Sequence, residues 1–184
     1  IKMKHQYGKI IGLSVLYLVA VYLSAFLGFL GPIGWVFFPA LAALLGAYSY
    51  YNLARRWQTF GVGTWLGIVL FVFLLLKGEI NWGAAIIITT IAIVSDLIRL
   101  SFGYKSRISL LCAYPVFSLS VICWLSPLWI NADRYYSNAV DEMGLNYARA
   151  LMPMSSIWVL LLLVAITLLL GYVGVFIATK NMPK

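Results

Sequence analysis

Apolar residues run along this chain in long unbroken blocks, not in the narrow stripes of a helix that is wet on one side. From Ile10 to Ala54 there is no charged residue, which is length enough for two membrane crossings of about 20 residues each, and Gly31-Pro32 interrupts the stretch near its middle. Arg55 and Arg56 close the second block, Lys77 closes the third, and Asp96 and Arg99 end the fourth. The pattern predicts six spanning helices at about 10–29, 33–53, 61–76, 80–97, 108–130 and 155–179. The fifth contains Pro115 and Pro127, which a membrane helix tolerates where neighbours satisfy the freed backbone groups. Between the fifth and sixth lies NADRYYSNAVDEMGLNYARALMPM, residues 131–154, too polar to span. Within it Tyr136, Val140, Met143, Tyr147 and Leu151 recur at helical spacing, so one or two short amphipathic helices should lie over the bundle as a lid.

Composition agrees with an all-α integral membrane protein in one domain, 1–184, because 64% of residues are hydrophobic and only 10% charged, at a mean hydropathy of +0.98. The first block follows a basic start, but no small-residue cleavage site ends it, so it reads as a retained helix. The net charge of +8 is scattered in twos and threes at the ends of apolar blocks. That excludes the continuous basic stripe of a nucleic-acid binder and leaves a topology signal. With the N-terminus inside, the cytoplasmic side collects ten Lys/Arg (Lys2, Lys4, Lys9, Arg55, Arg56, Arg99, Lys105, Arg107, Lys180, Lys184). The outside receives three, Lys77, Arg134 and Arg149. Both termini are therefore expected in the cytoplasm and the lid outside.

The chemistry of enzymes is missing from the pattern. There is no G-x-S-x-G, no H-E-x-x-H and no phosphate loop, and the one adjacent carboxylate pair, Asp141-Glu142, lies in the polar segment. Cys112 and Cys123 are about 16 Å apart along one helix and cannot bond, and with His5 alone they offer no metal set. No cofactor is implied. Asp96 and Arg99, three apart, are expected to form a local ion pair. No charge falls at the middle of a span, which argues against an ion-coupled carrier.

Two small-residue stripes, Ala20, Ser24 and Gly28 in the first span and Gly174 with Ala178 in the last, fit either packing inside the bundle or docking of another membrane subunit. On the outer side the 131–154 segment and the KGEINWG connection bring Glu79, Asn81, Trp82, Trp129, Asn131, Arg134, Tyr135, Tyr136, Met143, Tyr147, Arg149 and Trp158 to one end. As a set they suggest a pocket with aromatic walls, in which Asn81, Asn131, Arg134 or Arg149 orients a ligand. For any single ring, an interfacial aromatic belt explains it equally well.

The runs YPVFSLSVICWLSPLWINADRYY and MGLNYARALMPMSSIWVL, the SDLIRL and NWG of the fourth span, and the LGFLGPIGWVFFPALAALLGAYSY hairpin resemble the Trep_Strep or MptD family of energy-coupling factor (ECF) S components. The resemblance covers nearly the whole chain in order. It implies a six-helix substrate-capture subunit without catalysis of its own, binding a vitamin-like micronutrient near the outer surface. Its partners would be a membrane scaffold subunit and two ABC ATPases, which accords with the missing phosphate loop. The alanine stripe that such subunits carry for scaffold contact is represented only by Ala20-x-x-x-Ser24. A tetrapyrrole such as haem would suit the Tyr- and Met-rich lid, with Met143, Met152 or Met154 near a metal centre. The alternatives from other classes are a self-sufficient channel or facilitator for a small solute, an intramembrane enzyme and a structural assembly subunit.

Overall fold

The computed structural model describes residues 2–180, with side chains from Tyr7 onward. Lys184 and the side chains of Lys2, Lys4 and His5 lie outside the described residues. Among those residues there is no strand. Nine α-helices follow one another: α1 Lys2–Ala25, α2 Pro32–Arg56, α3 Val62–Leu76, α4 Trp82–Phe102, α5 Arg107–Ser118, α6 Pro127–Ile130, α7 Ala132–Met143, α8 Leu145–Leu151 and α9 Ile157–Ala178. Three 3-10 turns, Phe26–Leu30, Leu119–Leu125 and Met152–Ser155, join some of them.

Five segments are long and apolar enough to cross a membrane: Tyr7–Leu30, Pro32–Arg56, Trp82–Phe102, Arg107–Leu125 and Ile157–Ala178. The remaining apolar helix, α3, has 15 residues and rises only about 22 Å, short of the roughly 30 Å hydrocarbon core. The helix ends follow local chemistry. Gly31, at φ 120°, turns the chain into α2, whose first residue is Pro32, where no backbone donor is lost. Asn81 caps α4 by accepting the Ala84 amide at 2.7 Å, and Ser156 caps α9 through Trp158.

The expected single fifth helix is not continuous. It runs as α5, a seven-residue 3-10 turn and the four-residue α6. Pro127 has no N–H for the Cys123 carbonyl, which accepts from Ser126 instead, and the Ser118 hydroxyl bonds the Pro115 carbonyl. This tightening alters the register after Ser118 and carries Trp124 toward the α3–α4 connection.

Helix α2 is central, packed by α1, α5 and α9. Its side toward α9 is closely packed at Leu44 and Ala47, and α9 answers with glycine. A Cβ on Gly174 would stand 2.7 Å from the Leu44 carbonyl oxygen and 2.8 Å from Ala47 Cβ. The other stripe residues also serve the chain internally. Ser24 is fully buried with its hydroxyl on the Ala20 carbonyl, a Cβ on Gly28 would meet the Trp35 ring at 2.8 Å, and Ala178 packs on the main core. Close approach is how membrane helices associate without a hydrophobic driving force. Gly174→Val is therefore expected to cost about 1–3 kcal/mol through overpacking. Thermal unfolding of the detergent-solubilised protein should show it as a lowered midpoint. Gly12→Ala, with nothing within 4 Å of the new methyl and a better helix former in place of glycine, should hold the midpoint or raise it slightly.

The expected Asp96–Arg99 ion pair does not form. Among the described residues the ion pair within 4.0 Å is Lys77–Glu79. Asp96, fully buried, instead caps the start of α3: one oxygen accepts from the Gly63 amide at 2.8 Å, the other from the Thr64 amide and hydroxyl, each at 2.8 Å. Arg99, also fully buried, donates from Nη2 to the Ala54 carbonyl at 3.4 Å and lies over the Tyr104 ring. Sequence spacing placed the two side chains as neighbours on α4, but the approach of α3 brought amide donors that suit the carboxylate geometry better.

Candidate ligand cavity beneath the lid

The segment 131–154 folds over one end of the bundle as α7 and α8, broken at Gly144, whose φ of 89° favours glycine. Asn131 caps α7 through the Arg134 amide, and Asp133 in the first turn complements the helix dipole. The apolar stripe expected from the sequence holds the lid down. Tyr136 and Val140 pack on a cluster that includes Val36, Ala139, Ala148, Leu151 and Leu163. Tyr147 donates to the Gly28 carbonyl at 2.9 Å, tying α8 to the α1–α2 connection.

Between lid and bundle is a cavity of about 440 Å³. Asn131 at the N-cap of α7, then Tyr135, Asn138 and Glu142, recur at steps of four, three and four, so they share one face, and these and the neighbouring Met143 line it. The α3–α4 connection supplies Glu79, Ile80 and Asn81, and the bundle supplies Trp35 and Trp124. Trp124 is nearly buried and stands edge-on to Trp35, Phe38 and Phe73, at ring separations of 6.2, 5.2 and 5.7 Å. Its indole N–H donates to Glu79 Oε2, while Lys77 approaches Glu79 Oε1 only at 3.8 Å. Trp35 donates its indole N–H to the Tyr135 hydroxyl at 2.7 Å. Burial pushes the Tyr135 phenol up to about 12, against the opposing pull of the Trp35 bond, and the negative Glu79 and Glu142 raise it further. Tyr135 thus stays protonated at physiological pH and keeps a hydroxyl proton to donate.

Six of the residues expected at a site line this cavity: Glu79, Asn81, Asn131, Arg134, Tyr135 and Met143. The other six lie elsewhere. Trp82 and Trp158 are 86% and 76% exposed, as interfacial rings are, and Arg149 is exposed too. Trp129 donates to the Ser156 carbonyl, and Tyr136 and Tyr147 fasten the lid. Met152 and Met154 are outside the lining, and among the described residues no three His, Cys, Asp or Glu side chains converge as a metal set. Trp35, Trp124, Asn138 and Glu142 were not singled out from the sequence. For Asn138 and Glu142 the signal was present, seven positions after Asn131 and Tyr135 respectively on one helical face. Two further cavities, between α3 and α4 and around Trp57 near the opposite end, are lined almost wholly by apolar groups and threonines, apart from Arg56 and Gln58 in the second. The lid cavity alone of the three joins aromatic walls to several converging charged and amide groups, the usual character of a small-molecule site.

An all-helical bundle with five spans of membrane length and a capped polar cavity at one end defines a polytopic integral membrane protein of the α-helical class. Residues 9–184 match the family described as hypothetical bacterial integral membrane protein (Trep_Strep), and the chain belongs to that family. No curated protein matches the chain, and no solved structure does.

Proposed function

We propose that this protein is the substrate-binding subunit of an ECF-type importer in the bacterial plasma membrane, capturing a vitamin-like micronutrient in the lid cavity. The observation that carries the reading is the placement of that cavity: it lies at the end poor in Lys and Arg. Arg55, Arg56, Arg99, Lys105, Arg107 and Lys180 gather at the opposite end, which the positive-inside rule assigns to the cytoplasm. In this reading α3 is the sixth crossing, its short length accommodated by local thinning and by Lys77 reaching the interface. With Ser24, Gly28, Gly174 and Ala178 engaged inside the chain, the half-buried Ala20 is the stripe member left for scaffold contact. Transport energy comes from the scaffold and two ATPases, since this chain has no phosphate loop.

Protein purified from cells grown in rich medium should carry a small molecule detectable by native mass spectrometry. In liposomes the chain alone should bind that compound without transporting it, and uptake should require the scaffold, the ATPases and ATP. Uptake by the chain alone would replace this reading with a self-sufficient facilitator.

A further inference from the structure

From its charged lining and aromatic walls, we infer that the lid cavity selects a planar, ring-bearing ligand that carries a positive charge. This deepens the importer reading and rests on it. The cavity wall holds two carboxylates, Glu79 and Glu142, against one guanidinium, Arg134. Glu142 and Arg134 lie eight positions apart on α7, about two turns, and no ion pair within 4.0 Å links them. Glu79 is held in place by the Trp124 indole, so its orientation does not depend on a ligand. Its one cationic neighbour, Lys77, lies outside the lining, is 41% exposed and sits over the Tyr22 ring. A cation entering the cavity would therefore meet a preorganised carboxylate at Glu79, a second at Glu142 and the indoles of Trp35 and Trp124.

A dicarboxylate would meet the reverse. Its two negative charges would face Glu79 and Glu142 with Arg134 alone to offset them, so the lining disfavours a dianionic tetrapyrrole. The Arg134 guanidinium leaves room for one acceptor group on the far side of the ring. The Tyr135 hydroxyl and the exposed Asn138 amide add neutral donors along the same face.

The test uses three probes that share a ring and differ in charge: benzamidine, benzamide and benzoate. Equilibrium dialysis against the full chain in detergent micelles should find benzamidine bound at least about tenfold more tightly than benzamide, with benzoate weakest. Glu142→Gln, at an exposed position, should weaken benzamidine about tenfold and leave benzamide unchanged. Glu79→Gln, which keeps an acceptor for the Trp124 indole, should do the same. Benzoate bound most tightly and lost in Arg134→Gln would overturn the cationic class while leaving the cavity as a binding site. No charge preference, or glutamine variants that bind benzamidine normally, would overturn the class as well. If none of the three probes binds and no compound co-purifies, the class and the importer reading fall together.

Discussion

Asp96→Ala is expected to lower stability more than any other polar substitution in the chain, by about 3 kcal/mol or more. The estimate follows from about 1–3 kcal/mol for each buried donor left without a partner and about 0.5–2 kcal/mol for a lost helix cap. Three donors lose their acceptor together: the Gly63 amide, the Thr64 amide and the Thr64 hydroxyl. Asp96 and Gly63 are buried and Thr64 half-buried, so the donors lie largely away from bulk water. Asp96→Asn retains one carbonyl acceptor and should lose roughly half as much, since charge-assisted bonds are about twice as strong as neutral ones. Denaturant or thermal unfolding in detergent, followed by helicity, reads both variants. An alanine variant as stable as the parent would mean that the start of α3 does not depend on this carboxylate.

Trp124→Ala should cost about 3–5 kcal/mol in stability, the range for truncating a large buried aromatic, and should abolish ligand retention at the lid cavity. The ring touches Trp35, Phe38 and Phe73, so its removal leaves a void where the 3-10 turn, α2 and α3 meet. It also deprives Glu79 of the indole donor that orients it. Trp124→Phe separates the two effects in large part: it keeps an aromatic ring in the packing and loses the five-membered ring that carries the N–H. Its unfolding midpoint should fall much less than that of the alanine variant, while the affinity for benzamidine should still drop because Glu79 is free to turn toward Lys77. Dialysis with the same probe on both variants checks this, and full binding by the phenylalanine variant would remove the indole from any orienting role.

Five of the six expected crossings were readable without a structure because hydrocarbon thickness imposes a length on an apolar block, while α3 falls short of that length. The boundaries at Gly31-Pro32, Arg55-Arg56, Lys77 and Asn81 lie within two residues of helix ends, where a charge, a cap or a proline acts through the adjacent turn. The lid was readable too, since Tyr136, Val140 and Leu151 repeat at 3.6-residue spacing and do pack inward. Less of the cavity was legible. Asn131, Arg134 and Tyr135 were visible as polar and aromatic residues outside the spans, but Trp35 and Trp124 sit inside apolar blocks, where a tryptophan looks like any other large hydrophobe.

By itself the sequence determined that the chain is a multi-helix membrane protein with an unequal distribution of positive charge and an amphipathic cover over one end. Those properties depend on short-range pattern: hydropathy over about 20 residues, helical periodicity and local charge. Tertiary structure decided that Asp96 serves α3 and not Arg99, and which polar residues of the lid converge on one cavity; the structure also showed that the fifth span tightens from α-helix to 3-10 before Trp124. The tightening follows from Pro115 and Pro127 acting on their own turns, whereas the other two depend on contacts between residues 32 to 100 positions apart, such as Thr64 with Asp96, Glu79 with Trp124 and Trp35 with Tyr135. Which partner a buried polar group takes is set by the donors and acceptors that neighbouring helices bring within about 3 Å, and periodicity along one helix carries no information about its neighbour.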